Sequence, residues 1–134
     1  MTPDLQKTLY DKYPDIFKDK DKSMQETCMC WGIDTNDGWY TLIDNLCQEI
    51  ISIEKTHGVS LIADQVKEKY GGLRFYYHLI GNDKATYEGY TLIEEVVTKY
   101  ESMSEVTCEV CGEPGTISPA GWLMCLCDKH KEQQ

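Results

Sequence analysis

The stretch that most narrows how this chain can fold lies near its end: Cys108-Glu109-Val110-Cys111-Gly112, and then, after fifteen residues from 112 to 126, Cys127-Asp128-Lys129-His130. Two thiols two residues apart, followed by a thiol and an imidazole two residues apart, match a four-ligand zinc site. A Cys-x-x-Cys turn points both sulfurs into one concavity, and Gly112 lets the backbone turn tightly behind it. With Cys108, Cys111, Cys127 and His130 as ligands, every position of a tetrahedron comes from the chain. That marks structural rather than catalytic Zn2+. Cys125 complicates the set, because on an extended strand it would share a face with Cys127. Only Cys127 reproduces the Cys-x-x-His spacing, which leaves Cys125 as a buried small hydrophobe or as the ligand in Cys127's place.

The other 106 residues precede this module, and a chain of 134 suits one domain with a real core and a small metal-bound appendage. The expected division is residues 1–106 as an α+β core and 107–134 as a zinc-ribbon-like module docked on it. No run of eighteen apolar residues occurs, so no membrane segment is expected. Seven cysteines, an odd number with metal-type spacing, point to a reducing compartment, the cytoplasm, rather than to a disulfide framework. Thirteen basic residues against twenty-three acidic ones give a net charge of -10 with one arginine, Arg74. That balance disfavours nucleic acid, which needs clustered cations, and suits docking onto a basic protein surface.

Along the chain, Thr2-Pro3 reads as a helix start, with Leu5, Leu9 and Tyr13 at helical spacing and Pro14 as the stop. Ile16 and Phe17 read as core anchors, and Lys18-Asp19-Lys20-Asp21-Lys22 as a solvated loop. Thr27 to Ile33 reads as a short strand whose Cys28 and Cys30 share a face and whose Trp31 enters the core. Burial of these thiols, or a second metal held by Cys28, Cys30 and Cys47, would both account for the pair. Trp39, Leu42, Ile43, Leu46, Ile50 and Ile53 form the cleanest helical stripe, with Asp37 as N-cap and His57-Gly58 as the stop.

Residues 62–80 read as a β-hairpin turning at Gly71-Gly72. Ile62, Val66 and Tyr70 fall on one face of the first strand, and Leu73, Phe75, Tyr77 and Leu79 on one face of the second. The opposite face of the second strand sets Arg74, Tyr76 and His78 side by side. That row suits a partner or a small anion, and equally a face covered by a helix. A long helix follows Asn82-Asp83, with Tyr87, Tyr90, Ile93, Val97 and Tyr100 inward, Glu94, Glu95, Glu101 and Glu105 outward, and Gly89 as a weak point. In the module, Thr116-Ile117-Ser118 and Trp122-Leu123-Met124 read as hairpin arms with Trp122 as the hydrophobic plug. The expected fold class is therefore α+β: a small antiparallel sheet packed by two main helices, with a C-terminal zinc-ribbon-like module.

The segments CMCWGI (28 to 33), DGWYTLID (37 to 44), QVKEKYGGLRFYY (65 to 77), CEVCGEPG (108 to 115) and GWLMCLCDKH (121 to 130) together resemble a widespread group of small bacteriophage and prophage proteins. Where that group carries Thr before the last Cys pair, this chain has Cys125. The resemblance implies a setting, a phage-encoded protein in the bacterial cytoplasm, rather than a reaction. The acidic charge, the filled metal site and the lack of a catalytic motif then point to a non-enzymatic accessory protein that binds and inhibits or redirects a bacterial protein, including an anti-phage defence protein. Three other readings compete with it. One is a sponge for a small anionic nucleotide held by Arg74, Tyr76 and His78; the others are a zinc-dependent hydrolase and a nucleic-acid-binding ribbon.

Overall fold

The structure, a computed structural model, describes residues 1–118 and 121–133. Its fold class is α+β, with a three-stranded sheet packed by two long helices. Helix α1 (Pro3–Lys12) begins where Thr2-Pro3 requires, although the Thr2 hydroxyl makes no capping bond. Ile16 and Phe17 are both fully buried.

The Cys-rich segment departs from expectation. It forms a single 3-10 turn, Met29–Trp31, instead of a strand. Met29 points inward while Trp31 is 66% exposed and Cys28 and Cys30 are both exposed. Three residues per turn put only one side chain of the three on the core side, whereas a strand would have put both thiols on one face. Strand β1 is reduced to Ile33–Asp34.

Helix α2 (Tyr40–His57) is the spine of the core, burying Leu42, Ile43, Leu46, Cys47 and Ile50, with Gly58 ending it in the left-handed conformation. Asp37 does not cap it. A 3-10 turn, Asp37–Trp39, intervenes, and the Asp37 carboxylate instead accepts from the Thr2 N–H at 2.8 Å. Burial pushes the Cys47 thiol up, as suits a packed rather than a reactive cysteine.

Strands β2 (Val59–Lys69) and β3 (Gly72–Gly81) pair antiparallel, while β1 joins β2 in parallel, so the sheet is mixed rather than purely antiparallel. The turn holds Tyr70 at φ 55° and Gly71 at φ 87°, with Lys69 opposite Gly72. Thus Tyr70-Gly71, not Gly71-Gly72, takes the two positive-φ positions. At Gly72 a Cβ would lie 3.1 Å from Arg74 Nη1 and 3.3 Å from a Glu105 carboxylate oxygen, both at the ends of flexible side chains.

A bulge between Ala63 and Gln65 corrects the face assignment of β2. Before it Leu61 and Ala63 face the core, and after it Val66 does, since one inserted residue reverses the side-chain parity. Ile62 consequently opposes His78 on the other face.

Helix α3 (Tyr87–Ser104) starts at Thr86, whose hydroxyl accepts from the Gly89 N–H at 3.0 Å. It buries Ile93, Val96, Val97 and Tyr100, whereas Tyr87 is 88% exposed and Tyr90 is partly exposed. Gly89 is a packing necessity rather than a defect, because a Cβ would stand 2.6 Å from His57 Cβ. Glu101 is not an outward residue. Its carboxylate accepts from the Phe75 N–H at 2.9 Å, and the Ser104 hydroxyl accepts from Leu73 N–H at 2.8 Å. Together they satisfy two amides at the start of β3, the end of the edge that α3 covers.

Candidate metal centre

The C-terminal stretch brings three thiols and an imidazole together from two short turns. In the first, the Cys108 N–H donates to Glu113 O at 2.7 Å and Gly112 N–H to Cys108 O at 2.9 Å, with Gly112 at φ 82°. In the second, Cys127 precedes helix α4 (Asp128–Lys131), and one turn later His130 lies on the same side. Strands β4 (Thr116–Ile117) and β5 (Cys125–Leu126) pair antiparallel and set the two turns side by side.

Cys108, Cys111, Cys127 and His130 converge, with Sγ and Nδ1 atoms all within 4.8 Å of one another. Cys111 Sγ and Cys127 Sγ are 3.8 Å apart, His130 Nδ1 is 3.5 Å from Cys108 Sγ and 3.2 Å from Cys127 Sγ. Bonds of about 2.3 Å to sulfur and about 2.0 Å to nitrogen in a tetrahedron place sulfurs roughly 3.8 Å apart and sulfur and nitrogen roughly 3.5 Å apart. The cluster therefore fits a tetrahedral metal ion. Burial opposes ionisation of Cys108, yet the backbone around Cys127, Cys111 and Val110, aided by the Cys111 thiol, holds it down to about 6, which favours the thiolate a metal needs. Cys125 stands outside the cluster, fully buried in the hydrophobic core, and burial raises its thiol. Cys28, Cys30 and Cys47 belong to no group of three or more metal-ligating side chains among the described residues.

The arms of the small hairpin are shorter than expected, and Trp122 is no plug: it is 77% exposed. The buried apolar side chains here, among the described residues, are instead Cys108, Cys125 and Leu126. Pro119 and Ala120, between the arms, lie outside the described residues.

Three contacts that sequence reasoning missed join this stretch to the core. Gly38 N–H donates to Glu109 O at 2.7 Å, Asn36 N–H to the Glu109 carboxylate at 3.0 Å, and the Trp39 indole N–H to Thr107 O at 2.9 Å. Burial raises the Glu109 carboxyl above its ordinary range, the Asn36 N–H opposing. The available signal was Glu109 itself, a charged residue inside the first knuckle. At Gly38 the approach is so close that a Cβ would stand 2.5 Å from the carbonyl carbon and oxygen of Glu109 and press on that of Cys108. Gly38→Ala is therefore expected to cost about 3 kcal/mol, the upper end of overpacking penalties, read as a lowered urea midpoint at unchanged slope. An unchanged midpoint would mean that the knuckle is not seated on Gly38.

Of the second predicted set, Tyr76 and His78 are exposed and Arg74 is half-buried, so no helix among the described residues covers this end of the face. Arg74 donates to its neighbour Leu73 O at 3.1 Å, and His78 Nδ1 is 2.8 Å from the Asp64 carboxylate. A groove of about 440 Å³ lies elsewhere, between Glu68, Lys69 and Tyr70 of the hairpin turn and Gly121, Trp122 and Leu123 of the C-terminal stretch. Among the described residues no helix is long and apolar enough to cross a membrane. The chain matches no family model, no curated protein and no solved structure.

Proposed function

We propose that this chain is a non-enzymatic accessory protein of the bacterial cytoplasm whose four-ligand cluster holds a structural zinc ion. In this reading it docks on a basic surface of a bacterial host or defence protein, blocking or redirecting it. The phage setting rests on the motif resemblance alone. Zinc is favoured by the Cys3His donor set and by separations that match its bond lengths; with four protein ligands no position remains for a substrate.

The observation that carries the binding reading is Tyr70. A non-glycine residue with positive φ is costly, and Asn-Gly is the favoured pair for such a turn. Here the strained position holds an aromatic that is 66% exposed and shares a groove with the exposed Trp122. Strain kept at an exposed site is a mark of use. Rigid aromatics in a groove act as anchors, and the charge of -10 would steer a basic partner toward them.

The nucleotide sponge is less well supported, because Asp64 sets a carboxylate against His78 where an anion would have to bind. Tyr70→Asn separates fold from function: stability rises by about 0.5–1 kcal/mol as the turn strain is relieved, while partner binding falls. Capture from bacterial lysate by the wild-type chain, compared with Tyr70→Asn and Trp122→Ala, tests the proposal. A stoichiometric protein retained by wild type, weakened by salt and lost in both variants supports it. No protein above background, or capture indifferent to both substitutions, overturns it.

A further inference from the structure

A second group of metal-ligating side chains lies on the other side of the sheet from the core. His78 sits on the exposed face of β3, Asp64 occupies the bulge of β2, and Asp19 belongs to the 3-10 turn Lys18–Asp21. One ligand atom from each lies within 4.8 Å of the other two. His78 Nδ1 and Asp64 Oδ1 are 2.8 Å apart, and their side chains are 47% and 41% exposed.

Asp19 is the anomaly. In a charge run that sequence reads as solvated, its side chain is only 7% exposed, and Oδ1 is buried without a hydrogen bond. The Lys22 ammonium stands 3.1 Å from that oxygen, outside hydrogen-bond geometry, on a side chain that is 50% exposed. A carboxylate sunk this far, paired only with a half-exposed lysine and without a hydrogen bond at Oδ1, suits a second cation. The bulge has the matching effect on Asp64: it breaks the strand's alternation at the one residue whose carboxylate meets His78.

We propose that Asp19, Asp64 and His78 form a divalent-cation site, independent of the thiolate cluster, that takes a first-row transition ion such as Mn2+, with water completing its shell. Two carboxylate oxygens and an imidazole nitrogen, with no sulfur, are the donor set of such ions. With bonds of about 2.1 Å, ligand atoms of an octahedral ion lie roughly 3.0 Å apart along an edge and roughly 4.2 Å across the ion. The Asp64–His78 separation of 2.8 Å matches an edge, and the Asp19 oxygen stands within 4.8 Å of both partners. The exposed side of Asp64 and His78 leaves the remaining positions to solvent.

The choice of probe separates this site from the four-ligand cluster, because Mn2+ binds thiolates poorly and would leave a Cys3His site undisturbed. The protein as purified is titrated with Mn2+ while free Mn2+ is followed by electron paramagnetic resonance. Expected is one Mn2+ per chain, paramagnetic broadening centred on residues 19, 64 and 78, and affinity lower by roughly tenfold or more in Asp64→Asn and His78→Gln. Lys22→Ala should bind more tightly, since it removes a competing ammonium, which a purely structural Asp19–Lys22 ion pair would not produce. His78→Gln lies on an exposed face, and an unchanged melting temperature without Mn2+ establishes that its fold is intact. Absence of Mn2+ binding, or binding that ignores both Asp64→Asn and His78→Gln, overturns the proposal.

Discussion

Stripping the metal with a strong chelator, or replacing Cys108 by Ser, is expected to unravel residues 107–133 while α2, α3 and the long hairpin keep their protection. Beyond three hydrogen bonds to the core and the burial of Cys125, the C-terminal stretch has little else to hold it. Its ladder is two residues on each strand, and its fully buried apolar side chains are Cys108, Cys125 and Leu126. A segment that small cannot offset its chain entropy by burial alone. Structural zinc in comparable peptides contributes about 10–16 kcal/mol. Without it, three thiols and an imidazole crowd within 4.8 Å with nothing to attract them. Elemental analysis should find one zinc per chain in wild type and in Cys125→Ser, and none in Cys127→Ser. Hydrogen exchange should show the Cys108 and Gly112 amides losing protection on chelation while the Ile43 and Ile50 amides retain it. A metal-free protein with those two amides still protected would refute the assignment, and loss of metal in Cys125→Ser would move the ligand.

The second large effect is expected at Trp39, which is fully buried and heads the buried side chains by volume. Trp39→Ala combines a cavity cost of about 3–5 kcal/mol with roughly 1 kcal/mol for leaving the Thr107 carbonyl without its indole donor. Against a total of about 5–15 kcal/mol for a domain, that removes much of the stability. Trp39→Phe keeps most of the apolar volume and loses the hydrogen bond, so it should cost about 1–2 kcal/mol. Chemical denaturation of the three proteins gives the comparison. Trp39→Ala within 1 kcal/mol of wild type would mean that the indole does not join the two parts.

What sequence made legible follows from local rules. The metal cluster was readable because ligand spacing is set by the geometry of a short turn. The α2 stripe from Leu42 to Ile50 was readable because a sustained helical period leaves few alternatives. The hairpin appeared, yet its turn was misplaced by one residue. Two adjacent glycines look like a positive-φ pair, but Tyr70 and Gly71 take the positive φ values and Gly72 does not. The β2 faces were misassigned past Asp64, since alternation cannot announce a bulge. Trp31 and Trp122 were expected inside on hydrophobicity, and both lie exposed.

By itself, then, the sequence determined the α+β class, the principal helices and the Cys/His cluster, all of which follow from spacings and periods read along the chain. Tertiary structure alone decided that Glu109 and Trp39 join the C-terminal stretch to the core. It also placed Asp19, from a charged turn, beside Asp64 and His78, and set Tyr70 next to Trp122. Those neighbours are separated by about fourteen to seventy residues, and they meet only because burial of the shared core folds the elements over one another.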